Sequence, residues 1–291
     1  MTVLPPFERH QPASLEEAGE LFDRFGDGAV AYAGGTELFL LFKFGFAEYP
    51  HVIDLKGIPE LRGIAGENGS LRIGAVETHR AIERDPVVRD GWPALAAMER
   101  QVGNLRVRTM GSLGGNLCFA DPHSDPSTFL QAMDAEVEAR RGGGAARRIP
   151  LTEFVTGPYE NALEPGELLT AVLVPRLAAG AAIAHRKFVL HERPAITVAC
   201  RARLAGDSVE DLALAVGSAG VVAVRVRAAE ELVTGGNAGG IEFGRVGELA
   251  ADAADPVEDG NGSVEYKRHM VGVMAMRAIE DALAQARASH G

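Results

Sequence analysis

The chain has 291 residues, of which 46% are hydrophobic and 24% are charged. This composition is typical of a globular protein, and it excludes a collagen, a low-complexity chain or a small disulfide-rich scaffold. The 29 Lys and Arg residues against 40 Asp and Glu residues give a net charge of −11, which argues against general binding of nucleic acid. A chain of this length usually folds as two or three packed units.

The cysteine content and the N-terminal sequence indicate in which cellular compartment the protein is found. Cys118 and Cys200 are too few for an iron–sulfur cluster, which needs about four ligands, and such low usage fits a reducing environment. The N-terminus has no basic segment followed by an apolar run, and no stretch approaches the roughly 20 apolar residues of a membrane span. We therefore expect a cytoplasmic protein with no membrane span.

The first predicted elements alternate between helix and strand. Ser14 and Glu17 form a capping box that begins a helix, and Gly26 ends it. Two short apolar strands follow, over residues 29–33 and 52–55. We place the first boundary near residue 58, so that residues 1–58 form the first unit.

The second predicted unit covers residues 59–176. It contains a strand over 71–75, a helix that begins after Thr78, and a hairpin and a strand between residues 135 and 174. Residues 103–126 show no periodicity and are predicted to form one long loop, which in a compact domain is usually functional. Asp125 is predicted to cap the next helix, with Pro126 at its first position.

The pattern of predicted strands and helices changes after Pro175, and residues 177–291 are predicted to form the third unit. Three strands and then three helices are expected, at residues 183–190, 196–204, 212–216, 225–233, 242–254 and 264–287. Strands that come in runs favour an α+β fold over a doubly wound sheet. An apolar stripe on the last helix is predicted to face the core, at Val271, Met274, Ala278 and Leu283.

Two segments of small residues are candidates for ligand binding. The first is Ala33-Gly34-Gly35-Thr36-Glu37, and the second is Gly111-Ser112-Leu113-Gly114-Gly115-Asn116. Glycines allow a backbone to approach a ligand closely and to turn its N–H groups towards an anion. Together the two segments could hold the two phosphates of a dinucleotide, although each alone is also compatible with an ordinary turn.

Other familiar sites find little support in the sequence. The chain has no P-loop motif and no G-x-S-x-G nucleophile elbow. His185 and His191 share a face of a predicted strand pair, which indicates a cation-lined surface more than a metal site. We therefore expect no metal and no acid–base catalytic residue in this chain.

The segments Ala33 to Leu38 and Arg108 to Leu117, with Asp121 and Asp125 downstream, resemble the two flavin-binding signatures of the molybdenum hydroxylases. Further matching segments are Ile53-Asp54-Leu55, Thr78-His79, Pro165 to Leu169 and Tyr266 to His269. The chain resembles the medium, FAD-binding subunit of the carbon monoxide dehydrogenase and xanthine dehydrogenase family along almost its whole length. This implies a two-lobed FAD-binding domain of the PCMH type, followed by a C-terminal three-stranded antiparallel sheet with helices.

The resemblance also implies cofactor contacts. The pyrophosphate and ribose of FAD would be contacted by two segments. These are residues 33–37 (Ala33, Gly34, Gly35, Thr36, Glu37) and residues 112–116 (Ser112, Leu113, Gly114, Gly115, Asn116). Asp125 matches an aspartate that contacts FAD, and Leu169 matches a leucine near the adenine. Lys187 matches a lysine at the flavin, and Val102 matches an apolar residue that contacts the cofactor. The family's aromatic residue that shields the flavin is absent near Arg193 and Pro194.

A division of labour follows from the same resemblance. A large partner subunit would carry the molybdenum cofactor, a small one two [2Fe–2S] clusters, and this subunit would relay electrons from those clusters to an external acceptor. The complex is expected to be a dimer of heterotrimers. Two alternatives remain open from the sequence: a stand-alone flavin reductase, and a non-catalytic nucleotide-binding scaffold subunit.

Overall fold

The computed structural model describes residues 4–289 of the chain. Its first part is a small parallel sheet with two helices, whose bounds in chain order are β1 (Glu8–His10), α1 (Leu15–Phe25), β2 (Ala29–Tyr32), α2 (Leu38–Phe44) and β3 (His51–Asp54). Strand β3 lies between β1 and β2 and pairs with both in parallel. The Oγ of Ser14 accepts a hydrogen bond from the amide of Glu17 at 3.2 Å, which confirms the predicted cap of α1.

The second part is an antiparallel sheet covered by short helices. Its elements are β4 (Ile64–Glu67), β5 (Ser70–Gly74), α3 (His79–Arg84), α4 (Pro86–Gly91), α5 (Pro93–Glu99), α6 (Leu105–Met110), α7 (Leu113–Phe119), α8 (Asp125–Ala132), β6 (Glu136–Arg141), β7 (Arg147–Pro150), α9 (Leu151–Phe154), β8 (Val155–Gly157), β9 (Glu160–Asn161) and β10 (Glu167–Pro175). Five strands pair in the order β4-β5-β10-β6-β7, and β8 and β9 form a separate hairpin.

The prediction of one long loop over residues 103–126 is wrong, because α6 and α7 lie inside it. Each of these helices is too short to show a periodic apolar face, but each has a side-chain cap. Asn104 accepts hydrogen bonds from the amides of Arg106 and Val107 at 2.9 and 3.1 Å, and Ser112 caps α7. These N-cap residues were therefore the sequence signal that could have revealed α6 and α7.

The predicted cap of α8 is also wrong, by one residue. Ser124 is the N-cap, and its Oγ accepts a hydrogen bond from the amide of Ser127 at 3.2 Å. Asp125 is the first residue of the helix, and its side chain is only 3% exposed. The carboxylate is therefore free to pair with other buried groups.

The third part begins with a second antiparallel sheet. Its elements are β11 (Ala181–Val189), β12 (Pro194–Ala205), β13 (Ser208–Gly217), β14 (Val224–Arg225), α10 (Arg227–Val233), α11 (Phe243–Ala254) and α12 (Val264–Ala288). The three long strands that were predicted are present in sequential order, and the two-residue β14 adds a fourth at the edge. The apolar stripe on α12 is buried, as predicted.

Two hydrophobic cores support these sheets. One is formed mainly by residues between 15 and 174, and the other by residues between 182 and 286. Short 3₁₀ turns complete the chain at Gly26–Gly28, Leu55–Gly57, Pro59–Leu61 and Ala238–Gly240. Among the helices described over residues 4–289, none combines the length and the apolar character needed to cross a membrane.

Candidate functional site

The first glycine loop, residues 33–37, connects β2 to α2. Gly35 has a φ of +69°, in the left-handed region, and a Cβ there would lie 2.5 Å from the ring of Tyr32. Within the described part of the chain, the amides of Gly34, Gly35, Thr36 and Glu37 donate no hydrogen bond. Consecutive free N–H groups at a turn are the usual components of an anion-binding nest.

The second glycine loop, residues 111–116, leads into α7 and is held tightly by the protein. The amides of Leu113 and Gly114 donate to the carbonyl oxygens of Glu77 and Ala75, both at 3.0 Å. The amide of Gly115 donates to the Oγ of Ser112 at 3.2 Å. Because these N–H groups already donate to the protein, they are not free to bind a ligand. A ligand would contact this loop mainly through its surface and its side chains.

The two glycine loops lie against each other, although about eighty positions separate them in the chain. A Cβ on Gly34 would lie 2.5 Å from the carbonyl oxygen of Met110 and 2.8 Å from the amide nitrogen of Ser112. A Cβ on Gly111 would lie 3.4 Å from Thr36 Oγ1. Only glycine at position 34 permits this backbone contact, which makes the two loops a single surface.

A buried ion pair joins the second and third parts of the chain. The Nζ of Lys187, on β11, donates to Asp125 Oδ2 at 2.6 Å and to the carbonyl oxygen of Gln101 at 2.8 Å. Burial raises the pKa of Asp125 to about 6, although the nearby Lys187 opposes that shift. Val102, which is buried beside Gln101, therefore lies in the same region as Lys187.

Three further titratable groups are buried around this pair. The Nδ1 of His79 lies 2.7 Å from Glu99 Oε2, with both side chains almost fully buried. His185 Nε2 lies 3.8 Å from Asp125 Oδ1, and burial, followed by the charge of Lys187, lowers the pKa of His185 to about 4.

Several of these buried polar atoms form no hydrogen bond within the described residues: Glu99 Oε1, Asp125 Oδ1 and both ring nitrogens of His185. Unpaired buried polar atoms are rare in native proteins and call for an explanation. The expectation that His185 and His191 line a cationic surface is wrong. His185 is 4% exposed, and β11 ends at Val189, before His191 is reached.

Arg193, in the hairpin between β11 and β12, connects both loop regions. Its guanidinium donates to Glu37 in the first glycine loop at 3.1 Å and also pairs with Asp121, which follows α7. Asn116 Oδ1 accepts from Ser124 Oγ at 2.6 Å, which fixes the end of the second loop against the start of α8. Residues from all three parts of the chain thus meet here.

The structure brings most of the predicted residues together. The two glycine loops touch, Lys187 binds Asp125, and Val102 follows Gln101. Leu169 is buried in β10 next to Thr170, whose carbonyl accepts the amide of Ala75 beneath the second loop at 3.0 Å. Sequence reasoning missed Glu99 and Gln101, which carry no local motif and become visible only when α5 packs against β11.

Two known families match successive parts of the chain. The family described as the FAD binding domain in molybdopterin dehydrogenase matches residues 5–177. The family described as the CO dehydrogenase flavoprotein C-terminal domain matches residues 183–282.

Individual proteins are similar over nearly the full length. The carbon monoxide dehydrogenase medium chain of Hydrogenophaga pseudoflava is 31% identical, covering 97% of this chain and 99% of the relative. A putative xanthine dehydrogenase FAD-binding subunit of Escherichia coli K12 is 29% identical, covering 95% and 96%. A solved carbon monoxide dehydrogenase of H. pseudoflava superposes with a TM-score of 0.92 at 31% identity, covering 97% and 99%. Quinoline 2-oxidoreductase of Pseudomonas putida 86 gives 0.90 at 25% identity, covering 98% and 99%.

Proposed function

Because this chain belongs to the family of FAD-binding medium subunits of the molybdenum hydroxylases, we propose that its two glycine loops hold the diphosphate of FAD. The chain is an FAD-binding electron-transfer subunit of an oxidoreductase of the carbon monoxide and xanthine dehydrogenase type. The observation that carries the assignment of the loops is their backbone contact at Gly34, which makes one ligand surface of two distant segments.

The residues present fit this cofactor. The free amides of residues 34–37 suit an anionic diphosphate, and the close approach at Gly34 leaves no side chain between the loops. The unpaired buried oxygen of Asp125 is available to a ligand hydroxyl. When bound, FAD supplies the redox chemistry by accepting electrons and passing them on.

The other predicted residues take the roles that the resemblance implies. Lys187, held by Asp125 and Gln101, places a cation near the flavin, where positive charge favours the reduced form. Val102 offers an apolar contact, and Leu169 packs near the adenine. Ser112 and Asn116 order the second glycine loop through their hydrogen bonds.

The partners complete the proposal. A large subunit with the molybdenum cofactor oxidises the substrate, and a small subunit with two [2Fe–2S] clusters delivers the electrons, in a cytoplasmic dimer of heterotrimers. The division of this chain at residues 1–58, 59–176 and 177–291 is part of the same proposal. It is supported by the separate first sheet and by the two hydrophobic cores.

Co-purification with the flanking gene products tests this function. The purified complex is expected to hold one FAD per medium chain, released intact on denaturation. Substituting Gly35 or Gly115 by Val should remove the flavin and leave the assembly intact. Loss of the assembly with the flavin retained would instead identify a scaffold, and an FAD-loaded chain with no partners would identify a stand-alone flavin reductase.

A further inference from the structure

Two imidazoles and a carboxylate converge at one end of the first sheet, on the side chains of Glu8, His10 and His51. Glu8 and His10 are two residues apart on β1 and therefore project from the same face. His51 begins β3 and is the direct cross-strand partner of Glu8. The pairing register thus places all three side chains together.

We propose that Glu8, His10 and His51 bind a divalent transition-metal ion of the zinc class. His10 Nε2 lies 3.1 Å from His51 Nδ1, and Glu8 Oε2 lies 3.9 Å and 3.8 Å from these two nitrogens. A point equidistant from the three atoms is about 2.1 Å from each, which matches the length of zinc–nitrogen and zinc–oxygen bonds. An ion there would displace the proton of the His10–His51 hydrogen bond, and its coordination would become tetrahedral once the exposed Glu8 carboxylate moves closer to the two imidazoles.

The donor set selects the class of metal. Imidazole nitrogens suit zinc, copper and nickel, whereas magnesium and calcium prefer an all-oxygen environment. Three protein ligands leave a fourth position for water in a tetrahedral site. The neighbouring cation on β1 does not compete, because the Nε of Arg9 donates to Asp54 Oδ2 at 3.0 Å.

The site is both ordered and accessible. The ring of Phe25, at the end of α1, stacks on His51 with centroids 3.7 Å apart and an interplanar angle of 17°. The side chains of His10 and His51 are 15% and 24% exposed, so an ion can reach them from solvent. A bound ion would link β1 directly to β3, in addition to their backbone hydrogen bonds.

Titration of chelator-treated protein with Zn²⁺ and with Co²⁺ tests this proposal. Calorimetry should give one Zn²⁺ per chain at this site, and Co²⁺ should produce the visible absorption of a four- or five-coordinate site. Zn²⁺ should also raise the melting temperature of the wild type. His51→Ala should weaken binding by at least the factor of about 10–100 that follows loss of an outer-sphere partner.

Glu8→Ala is a second variant that keeps the fold, because Glu8 is exposed, and it should also weaken binding of both metals. His269→Ala removes an exposed histidine of α12 and serves as the matched control. The FAD content should stay unchanged in all three variants, which separates this site from the flavin site. Absence of Zn²⁺ binding by the wild type, or equal binding by all three variants, would show that His10 and His51 merely share a hydrogen bond.

Discussion

Arg193 and Glu37 form an ion pair of 3.1 Å between residues that are 156 positions apart in the chain. Arg193 also pairs with Asp121, so one side chain of the third part contacts acidic residues beside both glycine loops. The side chain of Arg193 is 48% exposed, and exposed ion pairs contribute only about 0–1 kcal/mol to folding. With FAD held by the two glycine loops as proposed, this arrangement is better suited to bridging the loops beside the cofactor than to stabilising the fold.

Replacing Arg193 by Ala should expose the flavin without unfolding the protein. We expect faster release of FAD and faster reoxidation of the reduced flavin by oxygen, since nothing then bridges Glu37 and Asp121. The free energy of unfolding should change by no more than about 1 kcal/mol. Stopped-flow reoxidation and denaturant unfolding measure these two quantities.

Arg203→Ala is the matched control, because Arg203 forms an exposed ion pair with Glu210 on the same sheet, away from the loops. Arg193→Lys keeps the charge but loses the planar fork, so it should behave between the wild type and Arg193→Ala. Unchanged flavin release and reoxidation in Arg193→Ala would contradict a bridging role for this residue.

The contact at Gly34 gives a second prediction. In Gly34→Ala the new Cβ would lie 2.5 Å from the carbonyl oxygen of Met110, so the two loops must move apart. We expect the purified protein to contain much less FAD and to lose about 1–3 kcal/mol of stability, as other overpacked sites do. The absorbance ratio of flavin to protein and a urea titration provide the measurements.

Gly91→Ala is the control for that experiment, because a Cβ on Gly91 meets no atom within 4 Å. It should keep its full FAD content. Equal flavin content in Gly34→Ala and Gly91→Ala would rule out the joint surface as the diphosphate site.

The capped helices and the three long strands of the third part could be predicted from local sequence, but the site required tertiary structure. Ser14 and Thr78 cap the helices that were predicted to begin beside them, because a cap depends only on residues within one turn. Short helices such as α6 and α7 were missed because one or two turns show no periodic apolar face.

The contact between Asp125 and Lys187 could not be predicted from local sequence either. The sequence assigned Asp125 and Lys187 only by resemblance, and no local pattern connects residues that are 62 positions apart. The carbonyl of Gln101 has no sequence signal at all, since any residue there supplies the same backbone oxygen. Packing of α5 against β11 creates this contact.

The buried pair of Lys187 and Asp125 yields a third prediction. Lys187→Met leaves the Asp125 carboxylate without its cation, and breaking a buried pair typically costs about 3–5 kcal/mol. The double variant Lys187→Met/Asp125→Asn should be more stable than the sum of the single changes predicts, because neither charge is then left alone. A double-mutant cycle of urea unfolding free energies measures this coupling.

The same variants separate the contribution of Lys187 to stability from its effect on the reduction potential of FAD. If Lys187 places its charge near the flavin, the reduction potential of bound FAD should fall in Lys187→Met and stay close to the wild-type value in Lys187→Arg. Additive effects in the double-mutant cycle, or an unchanged potential in Lys187→Met, would contradict the corresponding role.

The buried His185 predicts a specific dependence of stability on pH. Its pKa in the folded protein is lowered to about 4, against 6.5 for an unperturbed imidazole, because burial disfavours the charged ring. Between these two pH values the unfolded chain binds a proton that the folded chain does not. The free energy of unfolding should therefore lose this contribution as the pH falls from 6.5 towards 4.

Asp125 acts in the opposite direction, because its raised pKa of about 6 lowers stability as the pH rises towards that value. The comparison with His185→Leu reports the histidine together with its effect on the adjacent Asp125, whose carboxyl is present in both proteins. The stability of the wild type relative to His185→Leu should decrease steadily from pH 6.5 to 4 in urea titrations. His269→Leu, on the exposed face of α12, is the matched control for loss of a histidine. A constant difference between the wild type and His185→Leu across this range would mean that His185 is protonated as readily in the folded chain as in the unfolded one.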